Sequence, residues 1–594
     1  MNVCVFPEAG RPWERSETFQ AGGGIYPSAI LRQEFKAVLG ELYVAGEPQE
    51  ATMDGLPLEL LELIFLKLPT ADRLSCARAC RQWAQVLCSS ALLMDVRFVV
   101  RGPCSKARTT ILMGSNREYS NFRIVRANLN TFNRSLWTKI GGNIRDLHLI
   151  RCEWSIRSLA SILRQCPKLE SLTLTAGAPL CTLPVLHKPP KRIRLDKVRT
   201  SVLSVRTLII EDSEELFLSE DTLDHLLELM PNLTSLSMRS SFEGDADFKN
   251  AFPSLMKSRH RFTELDIDFD DIDSEHVIRL MEKYSESLRK LSLRSCCYLT
   301  VEAYAAISRC SNLRSLLLNE AKWLDDRQAR ILLDSSPELE SLSIRVGALR
   351  NETTSAILGL KKLRRLILKF TFIVDPGFLS CLKSLSSLEH LELDFIEDGP
   401  ELFRTMACLK NLRTLILADC EITSDCVEVI VENFKKIETL ELNCITLNEL
   451  DGTKFRLLKN LRSLSLDQAL WLTDSAFESG IGPSDLESLA LSSCPLTDVG
   501  LLSIATNHGR LEKLELSACR NISDAGVASL LSREPFLRSL SLASCWGLSD
   551  KILRFIRDRC FRLDLLELQL YQMTRSAVAL FVKRRPSVEI QEYW

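Results

Sequence analysis

The sequence predicts an α/β solenoid: a curved array of strand–helix repeats with a parallel sheet on its concave face, preceded by a small all-α unit. Three observations predict it. The pattern L-x-x-L-x-L recurs along most of the 594 residues, and from Phe262 onward its copies start 24 to 26 residues apart. A leucine-crowded stretch, MDGLPLELLELIFLKLPTADRLSCARACRQW from Met53 to Trp83, stands before the array. A chain this long exceeds what one compact core serves, so several domains or an extended array is the starting expectation.

The organisation follows in order: residues 1–51 as an N-terminal extension, 52–96 as the helical unit, 97–143 as a linker with an irregular first repeat or cap, and 144–594 as about seventeen repeats with a truncated last unit. The extension has no apolar run fit for a signal peptide, and no later segment reaches eighteen uncharged apolar residues. An intracellular protein, cytoplasmic and/or nuclear, is therefore expected. Seventy-five basic against 77 acidic residues give a formal charge of −2. That leaves no global pull toward nucleic acid or an anionic membrane surface. Twenty cysteines occur without a CxxC or HExxH pattern, so they read as small buried hydrophobes, and neither metal nor cofactor is expected.

In the helical unit Pro57 suits a first helical turn, and Leu60, Leu61, Ile64, Phe65 and Leu68 form one stripe that Pro69 ends. Leu58, Leu63 and Leu66 fall on another side of the same short helix. A second helix, from about Asp72 to Cys88, offers Leu74, Ala77, Cys80, Ala84 and Leu87 as cover. About forty residues cannot build a self-sufficient core. The remaining apolar surface is covered either by the repeats or by a partner helix.

This stretch resembles an F-box. The matching residues are Leu56-Pro57, Glu59-Leu60-Leu61, Ile64-Phe65, Leu68-Pro69, Asp72, Leu74, Cys80-Arg81 and Trp83, with Ala79 standing where a larger aliphatic is usual. The resemblance implies docking on a Skp-type adaptor, which links the chain to a cullin and a RING subunit in an SCF ubiquitin ligase. It also implies that Leu56, Pro57, Ile64, Phe65, Leu74 and Trp83 contact that adaptor or support the contact.

The repeat itself has a direct physical reading. Its x-L-x-L part alternates as a strand does, and the dozen residues that follow show apolar spacing of three and four. In LEKLELSACRNISDAGVASLLSREPF, Ser523 or Asp524 can cap a helix that carries Val527, Leu530 and Leu531 inward. Stacking the units buries what no single unit buries alone. Weaker copies start at Ile144, Leu169, Val205 and Leu233. A cysteine stands eight residues after the first leucine in six units, at Cys152, Cys296, Cys420, Cys494, Cys519 and Cys545, and Cys166, Cys310 and Cys560 occupy a second recurring slot. With LTDVGL, ISDAGV and LSDKIL, these units resemble the cysteine-containing class of leucine-rich repeat, where the thiol fills the turn leaving the strand. An F-box followed by such repeats resembles a substrate receptor of an SCF ligase. A leucine-rich scaffold or inhibitor working without the ligase is the alternative.

Residues two, four and six after the first leucine face the concave lane. C-terminal units place small groups there, such as Ser488, Ala490 and Ser492. Between 239 and 394 the lane is charged: Arg239; Glu264, Asp266 and Asp268; Lys290 and Arg294; Arg345; Arg365 and Lys369; His390, Glu392 and Asp394, with Phe370 and Phe395 beside it. Mixed signs next to aromatics suit a protein substrate better than a phosphate backbone. Pairing of these charges across neighbouring strands is the other reading. The candidate substrate set is Arg239, Asp266, Asp268, Arg294, Arg345, Lys369, Phe370, Glu392 and Phe395. The run at Asp266, Asp268 and Asp270 fails as a calcium loop, because Asp271 holds the glycine position and Val277 the glutamate position. The basic segment 176–200 reads as a surface loop. No nucleophile elbow or P-loop occurs, so a non-catalytic receptor is expected, with ubiquitin transfer done by partners. The C-terminal EIQEYW lacks a prenylation signal, so no membrane anchor is implied.

Overall fold

The computed structural model describes residues 57–592 except for internal stretches, of which 103–112, 176–201, 212–219, 240–247 and 444–451 are the longest. Leu56, Leu74, Lys369, Phe370 and Phe395, the N-terminal extension and the basic segment 176–200 lie outside the described residues. The chain divides after Leu233 into two compact units.

The first unit opens with the helix Leu58–Leu66, whose Leu61, Ile64 and Phe65 are buried, and the short helix Arg81–Val86. Leu61, Phe65, Leu68, Cys76, Val86, Leu87 and Leu92 form its core, with Trp83 packed on it. The rings of Phe65 and Trp83 meet edge to face at 5.4 Å. Strands Arg97–Arg101, Asn121–Val125, Asp146–Ile150, Ser171–Thr175 and Thr207–Glu211 then pair in sequence order, all parallel. The first two fall in the region read from sequence as linker and irregular cap.

The second unit repeats one strand-and-turn module from Ser235–Arg239 to Glu589–Glu592, each strand parallel to the one before it. The sheet is open, and helices such as Ser274–Tyr284, Asp326–Asp334 and Asp498–Asn507 return the chain between strands. The motif fixes the register: Leu265, Leu291, Leu316, Leu342 and Leu366 are successive partners and all fully buried. Alternation along the strand puts these leucines inward and the intervening residues on the opposite face. Between strands Thr439–Leu442 and Ser463–Asp467 the described part of the return segment holds a 3-10 helix, Gly452–Leu457.

The recurring cysteines have a specific job. Ser493, Ala518 and Ser544 leave their strands with left-handed backbone. In that conformation the Ser493 and Ala518 amides extend the ladder by one bond, to Ser517 O and Ala543 O. The cysteine that follows turns its thiol back: Cys519 Sγ donates to Leu491 O at 3.4 Å and Cys545 Sγ to Leu516 O at 2.8 Å. Cys152 does the same with Ile124 O at 3.3 Å in the first unit. The turn at Ala518 and Cys519 is thus tied forward by an amide and backward by a thiol. In the second slot Cys166 and Cys310 are fully buried, and burial pushes their thiols up to about 12.

Candidate functional site

On the helix Leu58–Leu66 the two apolar sides are resolved. Phe65 belongs to the unit's own core, and Ile64 is likewise shielded from solvent. Trp83 is half-buried against Phe65, and Pro57 is exposed. The surface lies elsewhere on the helix: Leu58 is 46%, Leu63 53% and Leu66 46% exposed. Glu62, on the same side, is held by the Ser89 hydroxyl at 2.8 Å. Three half-exposed leucines on one nine-residue helix are a concentrated apolar face of the kind that marks a docking surface. Helical phase already separates them from the inward stripe in the sequence.

In the second unit the charged lane lies on the sheet face away from the core. Arg239 and Asp268 are register partners, as are Glu264 and Lys290. Asp266 sits between two arginines: Arg239 donates to its Oδ2 from Nε at 2.9 Å and Nη2 at 2.5 Å, and Arg294 Nε lies 3.3 Å from Oδ1. The Ser237 hydroxyl adds a bond at 3.1 Å. Burial pushes the Asp266 carboxyl up, but the neighbouring Ser292 hydroxyl and the two guanidiniums more than reverse that and hold it below the usual carboxylate range. At Asp268 burial prevails over the bond from Ser295, and the carboxyl is raised.

Pairing across strands therefore accounts for Asp266, which is itself only 8% exposed. The two arginines keep more of their side chains in solvent, 40% for Arg239 and 33% for Arg294. Their shared carboxylate positions them, and Asp268, the register partner of Arg239, stands beside them. Arg345 is half-buried, Lys290 and Arg365 are exposed, and Glu392 and Asp394 are buried in the same lane. His390 and Glu392 approach to 3.8 Å on one strand. The structure thus brings Arg239, Asp266 and Arg294 into one cluster and sets Arg345 and Glu392 on later strands.

The described residues thus form an open repeat sheet with one charged stretch and a helical unit with an outward apolar row. Comparison with known families agrees with both parts: a model described as F-box-like matches residues 53–98, and one described as Leucine Rich repeat matches residues 483–505. The chain thus carries an F-box-like segment and leucine-rich repeats. Among solved structures it is similar to a leucine-rich-repeat protein of Leptospira interrogans, at 14% identity over 82% of this chain and 92% of that one, with a TM-score of 0.28. It is also similar to the Rad7 and Elc1 complex of yeast, at 11% identity over 96% and 99% with a TM-score of 0.30. A third, an internalin of Listeria monocytogenes, shows 16% identity over 62% and 89% with a TM-score of 0.29.

Proposed function

We propose that the chain is the substrate-recognition subunit of an SCF-type E3 ubiquitin ligase. The F-box-like segment docks a Skp-type adaptor, and through it a cullin and a RING subunit. The sheet face of the repeats captures a protein substrate for ubiquitination and proteasomal degradation. The chain contributes no catalytic group of its own. The observation that carries this reading is the outward row Leu58, Leu63 and Leu66 on a helix whose other side already has its core. Substrate capture by Arg239 and Arg294 is supported by their partly exposed side chains, which the Asp266 carboxylate holds in place, and Arg345 extends the same lane.

Co-purification tests the proposal. The intact chain should bring down a Skp-type adaptor and a cullin, and the double substitution Leu63→Glu/Leu66→Glu should lose both with an unchanged melting temperature. A well-folded chain that captures neither partner would favour a scaffold acting without the ligase.

A further inference from the structure

A second charged surface lies outside the sheet lane, on the helical side of the last two repeats. Between Asp550 and Arg585 stand nine basic residues against four acidic ones, a formal +5 in a chain whose total is −2. The repeat pattern itself changes here. Four successive helices begin with aspartate, at Asp474, Asp498, Asp524 and Asp550, whereas the next, Arg575–Arg584, begins with arginine. The position that carries an acid in the four preceding helices thus carries the opposite charge here.

Not all of this charge faces outward. Arg585 is engaged internally, donating to Arg557 O at 3.1 Å and Cys560 O at 2.6 Å, and Arg557 is paired with Asp558 at 2.7 Å. Lys551, Arg554, Arg559, Arg562, Arg575, Lys583 and Arg584 are exposed. Between the helices Asp550–Arg559 and Arg575–Arg584 runs a groove lined by apolar Leu553, Ala577, Leu580 and Phe581 and by Arg554 and Arg557. Asp550 also borders it, but its carboxylate accepts from Thr574 N at 2.8 Å and Thr574 Oγ1 at 2.6 Å, which hold it below the usual carboxylate range. Leu580 is 43% exposed, so the apolar side of the groove reaches solvent.

We infer that this groove is a docking site for an acidic peptide segment of a partner protein, one that inserts an apolar side chain between carboxylates. Charge complementarity selects the acid, since Arg554 and Arg557 line the groove and both helices carry further exposed cations. The apolar floor selects a peptide over a nucleic acid, whose phosphates would use the arginines and leave Leu580 and Ala577 without a counterpart. The site is independent of the sheet lane and of the F-box face.

The test uses the full chain and three fluorescein-labelled pentapeptides: Glu-Glu-Leu-Glu-Glu, its glycine-centred counterpart, and Lys-Lys-Leu-Lys-Lys. The acidic leucine peptide should bind most tightly, and the glycine peptide about tenfold more weakly because no side chain is buried. Raising NaCl from 50 to 300 mM should weaken the leucine peptide about tenfold. Arg554→Glu/Arg575→Glu should abolish binding with the melting temperature unchanged, and Leu580→Ala should affect the leucine peptide alone. Equal binding of the lysine peptide, insensitivity to the charge reversal, or absence of peptide binding overturns the inference. So does tighter binding of a ten-nucleotide RNA or of phosphatidylserine vesicles.

Discussion

Asp498 reaches forward one repeat to Ser523: its Oδ1 accepts from the Ser523 amide at 2.8 Å and its Oδ2 from the Ser523 hydroxyl at 2.6 Å. The Ser523 oxygen in turn accepts from Ala525 N and caps its own helix. Asp474 with Thr497, Asp524 with Ser549 and Asp550 with Thr574 repeat the link. One carboxylate thus sets the cap of the next helix.

Asp498→Ala should lower stability to urea by about 1–2 kcal/mol, the scale of a lost helix cap. Gly526→Ala should be worse, because a Cβ there would stand 2.0 Å from Asp498 Oδ1. Asp498→Ala/Gly526→Ala should recover part of that second loss. Equilibrium unfolding of the single and double variants measures the coupling.

Glu534 gives the fold a pH dependence of definite sign. The residue is 3% exposed, and burial pushes its carboxyl up to about 8 against a weak opposing pull from the Leu511 backbone. A folded value above the unfolded one means its contribution is fully present below about pH 4.5 and is lost as pH rises to about 8. The loss is on the order of a few kcal/mol. Glu534→Gln should flatten this part of the stability profile and stabilise the chain at pH 8. Denaturation midpoints from pH 5 to 9 check it.

Within the F-box-like segment the two sides of the helix should respond oppositely. Phe65→Ala removes a fully buried ring and should destabilise the segment by about 3–5 kcal/mol, seen as lost protection of the 58–66 amides in hydrogen exchange. Leu63→Glu should leave that protection intact.

In the lane, Arg294→Ala/Arg345→Ala should abolish substrate capture in a proteasome-inhibited pull-down and leave adaptor binding unchanged. Asp266→Asn frees Arg239 and Arg294 from their common partner. It should weaken capture less than removing the arginines, and it should remove an acid-sensitive contribution. The lowered Asp266 carboxyl lends stability above about pH 3.8, lost as pH falls through its folded value.

The leucine period alone determined the strands, their parallel order and the inward ladder, because alternation along a strand leaves one face for Leu265, Leu291 and Leu316 to share. It also separated Leu58, Leu63 and Leu66 from the stripe of Ile64 and Phe65 by helical phase. Which of these two apolar sides is covered was decided only by the fold, since Val86, Leu87 and Leu92 close over one of them. The sequence likewise offered Ser523 or Asp524 as the cap of one helix. Ser523 caps it, while Asp524 bonds to Ser549 a whole repeat ahead, a contact that exists only once repeats are stacked. The charged lane was legible as a set of positions. That Asp266 is held between Arg239 and Arg294 depends on side-chain reach across three adjacent strands, which local spacing does not encode.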